Sequence, residues 1–165
     1  MRDLTHLGLP ASVTDLAEMT PMEDIALRVL REAMPDVSIQ SLIEFDQTDM
    51  DRFFIVVRRI PSWGIWSGDD RFIDAGGLAV HVFAQDPDAD EVGAIVSEAA
   101  RVALRNSARD RDWYEDIGGL LKVQLVEEPV RRTDWATSSG PVQFADLPAG
   151  YQRYEARYSL WVRLP

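Results

Sequence analysis

Residues 153–165 read RYEARYSLWVRLP, and the alternation in this stretch sets the frame for everything before it. Tyr154, Ala156, Tyr158, Leu160, Val162 and Leu164 take the even positions, while Glu155, Arg157, Ser159, Trp161 and Arg163 take the odd ones. Successive side chains of a strand point to opposite faces, so a period of two predicts a long strand with one face in a core. Its second face carries arginines and a tryptophan, a mixture that calls for a partner of some kind.

Moving back along the chain, residues 129–150 hold three Pro and two Gly together with Trp135 and Phe144, and read as a long connection. Residues 120–128, LLKVQLVEE, alternate again and set Leu121, Val123 and Leu125 on one side. Residues 77–86, GLAVHVFAQD, place Leu78, Val80 and Val82 opposite Ala79, His81 and Phe83. RFFIVVRRI, residues 52–60, is β-branched and aromatic, as suits a strand buried on much of both faces. Residues 37–46 are rich in strand formers but alternate poorly. Between the two strongest strands, residues 61–76 (PSWGIWSGDDRFIDAG) hold one Pro, three Gly and two Trp and read as a loop or open hairpin.

Two segments carry the helical period. In TPMEDIALRVLREAMP, residues 20–35, Thr20 is a candidate N-cap, Pro21 sits where a missing N–H costs nothing, and Glu23 completes a capping box. Ile25, Val29, Leu30 and Ala33 form its stripe, and Pro35 ends it. In residues 86–107, Asp88 with Glu91 is the candidate cap, and Val92, Ile95, Val96, Ala99, Val102 and Ala103 form a face of mostly small residues. Residues 108–119 read as a charged turn. The order helix, strands, helix, strands predicts an α+β fold: a single mixed or antiparallel β-sheet with two α-helices packed on one face. Residues 1–19 are expected to form an N-terminal arm, and 20–165 a single domain.

Composition narrows the chemistry. The net charge of −11 opposes wrapping of a nucleic-acid backbone, where affinity comes from Lys and Arg displacing counterions. Of the 17 basic residues only Lys122 is a lysine, and Arg suits forked contacts with carboxylates and stacking on rings. Cysteine is absent, so no disulfide or thiolate ligand is available. No stretch approaches the ~18 apolar residues of a membrane span, which makes a soluble, intracellular protein the expectation. His6 and His81 are the only histidines, and His81, in mid-strand, reads as packed or at an interface. GGLLK lacks the spacing of a phosphate loop, and no G-x-S-x-G elbow occurs. The acids at Asp69 and Asp70, and at Asp86, Asp88, Asp90 and Glu91, lack a calcium-loop pattern and read as solvated faces or caps. No catalytic residue, cofactor or metal is expected. Trp63, Trp66, Phe72, Trp135, Phe144 and Trp161 fall in expected loops or on the second face of the last strand; they either form an interface or fold back over the sheet.

Together these segments resemble the tail terminator proteins of long-tailed, siphovirus-type bacteriophages. The resemblance is carried by an early helix (MEDIALRVLREAMP), a strand with paired arginines (FFIVVRRI) and a Gly- and Asp-bearing approach to an alternating strand (DAGGLAVHVFAQD). A helix opening directly afterwards (ADEVGAIVSEAARVALRNS) and the closing RYEARYSLWVRLP complete it, over residues 20–165. The arm before Thr20 and the Trp-bearing stretch 61–76 have no place in that pattern. The resemblance implies a structural subunit that forms a hexameric ring in the virion, caps the head-proximal end of the tail tube, stops its polymerisation and joins it to the head or neck. The implied partners are further copies of itself, the tail tube protein and a head-completion or neck protein, with no membrane. DNA would pass through the lumen without specific binding, repelled by carboxylates.

A closed ring requires a heterologous interface, in which one patch meets a different patch on the neighbour. Arg157, Trp161 and Arg163 are the residues expected there, joined at subunit or partner contacts by Trp63, Trp66, Asp69, Asp70, Phe72 and Trp135. Two other readings stand beside this one: another neck or tail-completion protein, and a small-molecule-binding α+β module whose Trp-bearing loops close a pocket.

Overall fold

The closing strand spans Tyr151–Arg163, and its even residues Ala156, Tyr158, Leu160 and Val162 are at most 3% exposed. It belongs to a computed structural model that describes residues 22–41, 52–60, 73–132, 151–163 and 165. The N-terminal arm, the Thr20–Pro21 cap, and Trp63, Trp66, Asp69, Asp70, Phe72, Trp135 and Phe144 lie outside the described residues.

The elements are α1 (Met22–Ala33), β1 (Ser38–Gln40), β2 (Phe53–Ile60), β3 (Ile73–Gln85), α2 (Ala89–Asp110), β4 (Gly119–Arg132) and β5 (Tyr151–Arg163). They form one mixed sheet in the order β1-β2-β3-β5-β4, parallel only between β1 and β2. Both helices pack on one face. There Ile25 and Leu30 of α1, and Ala100 and Leu104 of α2, join Ile55, Leu78, Val80, Tyr158 and Leu160 in one apolar core. This is the α+β architecture with two helices on one face that the sequence pattern predicts.

Several local expectations are corrected. Ala33 is exposed, and Met22, Ala26 and Leu27 are buried with Ile25, Val29 and Leu30 instead. The expected strand over 37–46 is only three residues long among the described ones. Residues 73–76 are strand rather than loop, because β5 pairs with β3 all the way to Ile73↔Arg163. Similarly, β4 runs on through Pro129 to Arg132, residues first read as connection.

The face of α2 is rotated from the expected one. Ala89, Gly93, Val96, Ser97, Ala100, Leu104 and Ser107 are buried, while Ile95 is 60% exposed. Small residues let the helix settle close to the sheet, and Gly93 sits directly beneath the ring of Tyr154. Asp88 makes no side-chain cap; it pairs with Arg52 of the segment leading into β2. In β4, Leu120, Val123 and Leu125 turn toward the core and Leu121 does not, because the register slips between Leu120 and Lys122.

Candidate interaction surface

The odd residues of β5 lie on the sheet face opposite the helices. That face is nevertheless covered over its centre: Phe54, Val56, Ala79, His81, Phe83, Arg153, Glu155 and Ser159 are all buried. Phe54 and Phe83 stack there, ring centroids 4.8 Å apart. Because β5 runs between β3 and β4, each of its odd residues from Arg153 to Arg163 has a neighbour on both sides. Glu155 stands opposite His81 and Val130, Arg157 opposite Ala79 and Glu127, and Arg153 opposite Phe83 and Arg132.

Glu155, 2% exposed, is the hub of these charges. Arg157 Nε donates to its Oε1 at 2.8 Å. Its Oε2 has Arg132 Nε and Arg153 Nη2 each at 3.7 Å and His81 Nδ1 at 3.9 Å, which are electrostatic contacts beyond hydrogen-bond reach. Glu127 accepts from Arg132 Nη2 at 3.2 Å and lies 3.3 Å from Arg157 Nε, tying β4 into the group. Burial pushes the Glu155 carboxyl up, but the hydrogen bond from Arg157 and the charges of Arg157 and Arg153 outweigh it and hold it below the ordinary range. Burial also drives His81 down to about 4, against the pull of Glu155 and with the help of Arg153, Arg58 and Arg157. His81 is therefore neutral near pH 7. The same loss of solvent lowers the pKa of Arg153, whose side chain is 1% exposed.

The three expected contact residues on β5 thus have different settings. Arg157 is mostly covered and engaged with two glutamates. Trp161 is half-buried with the Lys122 ammonium 4.5 Å from its ring centre. Arg163 is exposed, its guanidinium 5.6 Å over Trp113, which is itself 48% exposed. Trp161 and Arg163 lie at the end of the sheet where β2 stops at Ile60 and β3 starts at Ile73. The segment bearing Trp63, Trp66, Asp69, Asp70 and Phe72 joins the fold at that end. The segment bearing Trp135 joins at the other, between Arg132 and Tyr151.

Three exposed apolar residues lie along β4, an outer strand of the sheet. Leu121, Val126 and Val130 are 44%, 46% and 47% exposed. Three register shifts and Pro129 interrupt the strand's ladder with β5. At the opposite edge β1 is three residues long, and Ile39 C=O accepts from Arg31 Nε and Nη2 at 2.9 and 2.7 Å. Bulges, a proline, a very short strand and an occupied carbonyl are all means of blunting a sheet edge against strand addition.

Among the described residues, no group of three or more His, Asp or Glu is placed to hold a metal ion, and no helix is long and apolar enough to cross a membrane. Asp86, Asp88 and Asp90 are instead taken by Gln152, Arg52 and Arg131. No protein-family model and no curated protein matches the chain.

Proposed function

We propose that this chain is a ring-forming structural subunit of the tail terminator type, which caps a phage tail tube, halts its polymerisation and joins it to the head or neck. The order and texture of the sequence segments support this reading, and so does the architecture they form. The single observation that carries it is that the outer strand β4 leaves Leu121, Val126 and Val130 exposed, with Trp113 close to its start at Gly119. Exposed apolar residues and a tryptophan at an outer strand suit a contact surface.

The two sheet edges differ in length, composition and side-chain cover, and a contact of the β4 edge with a different patch of the neighbour would be heterologous, the kind that can close a ring. Blunted ladders fit a subunit whose neighbours dock by side chains and whose assembly stops at closure. The net charge of −11 suits a lumen through which DNA moves without adhering.

The test is electron microscopy of the purified chain with and without a tube-forming tail protein. Rings with a central hole, and tubes capped at one end and limited in length, are expected. Tubes that grow to the same lengths in its presence would contradict the proposal.

A further inference from the structure

Charge is divided unevenly between the two faces of the sheet. Directly opposed residues of paired strands share a face. The register therefore sets Arg58, Lys122, Arg132, Arg153, Arg157 and Arg163 on the side away from the helices, with Glu127 and Glu155 as the carboxylates facing them among the described strand residues. Asp74, opposite Val162, and Glu128, which shares a cleft with Ala94 and Glu98 of α2, belong to the helix side. This face thus holds an excess of four cations in a chain of net charge −11, and the rest of the chain is more acidic than that total indicates.

The open part of the face is the end where β5 finishes. There Lys122 and Arg163 are exposed, and neither side chain makes a hydrogen bond or ion pair among the described residues. Each rests on a tryptophan instead, Lys122 Nζ 4.5 Å from the ring centre of Trp161 and Arg163 Cζ 5.6 Å from that of Trp113. Cations seated in this way lose less freedom when a partner arrives. In the turn between α2 and β4, Asp110 binds Arg109, while Asp112 and Asp116 act on Tyr114 and Arg28 toward α1.

The arrangement selects among anions. A nucleic acid would use the rings as stacking platforms, but the cations lie over their faces. A carboxylate needs only the ammonium and guanidinium, which stay open to it. Two copies meeting through this same face would set like charges together, so its match is a different and acidic patch. The acidic remainder of a further copy supplies one.

We propose that the sheet face at Lys122, Trp161 and Arg163, together with Trp113, receives carboxylates of a second copy of this chain. The contact is heterologous, rests on ring formation, and adds an electrostatic component to the apolar one at β4.

Particle mass measured over a range of salt and protein concentrations tests this for three proteins: the wild type, Lys122→Glu with Arg163→Glu, and Lys122→Arg with Arg163→Lys. The wild type is expected to assemble and to loosen as salt rises. The charge-reversed variant should associate about a hundredfold or more weakly at an unchanged melting temperature, while the charge-keeping variant still assembles. A charge-reversed variant that assembles as well as the wild type would overturn this contact and leave ring formation standing. A wild type that stays monomeric at every salt concentration would overturn ring formation and the contact with it. Charge reversal that abolishes binding of a single-stranded oligonucleotide but spares self-association would assign the patch to phosphate and overturn the proposal.

Discussion

Glu155 holds one carboxylate at 2% exposure with Arg157, Arg153, Arg132 and His81 around it. Removing such a hub takes away the carboxylate that faces these cations, and breaking a buried ion pair from one side typically costs about 3–5 kcal/mol. Glu155→Gln is therefore expected to lower unfolding free energy by about that amount in a urea titration. A loss below about 1 kcal/mol would mean the cluster is solvated in solution.

His81 adds a pH dependence of known sign. Its pKa is about 4 in the fold and near 6.5 when exposed, so between those values the unfolded chain binds the extra proton. Stability then falls as pH drops from 6.5 to 4, by about 3 kcal/mol in all. Glu155, held below its ordinary range, adds a further loss only at lower pH. His81→Gln should flatten the slope between pH 4 and 6.5, whatever it does to stability at pH 7. An unchanged slope would assign the loss to other groups. None of this cluster was legible in the sequence. His81, Glu155 and Arg132 lie on three strands, and only the pairing of β5 with both β3 and β4 brings them together. The one visible sign was the charge on the odd positions of β5.

Elements were legible where period and burial coincide. β5 alternates cleanly because its even residues from Tyr154 to Val162 pack into one core, and β2 is apolar on both faces because both faces are covered there. α2 was misjudged by rotation. Gly93, Ser97 and Ala100 are buried for their small size rather than their hydrophobicity, so an apolar count favoured Ile95. This leads to a paired prediction. Gly93→Ala should destabilise by about 1–3 kcal/mol, because the new methyl meets a Tyr154 ring held by Asp90. Ile95→Lys should change stability by no more than about 0.5 kcal/mol. Thermal melts of the two variants in reversed order would show that α2 presents its other face to the sheet. The slip in β4 was illegible for a related reason: Leu120 and Leu121 are equally apolar, and only the ladder with β5 decides which one turns inward.

The whole molecule combines a helix-covered sheet face, a second face closed over a charged cluster, and two unlike edges. Docking through β4 side chains rather than through its backbone leads to a specific expectation. Leu121→Glu with Val126→Glu should leave a monomer of near-native stability, since both positions are already more than two-fifths exposed. In the proposed role, a lumen and docking onto tube and neck both depend on ring closure. The measurement to make is particle mass in solution, for the wild type and for this double variant, across a concentration series. The expected result is a closed oligomer of fixed mass for the wild type and a monomer for the variant. A wild type that stays monomeric throughout, or a variant that assembles as the wild type does, would contradict assembly through the β4 edge.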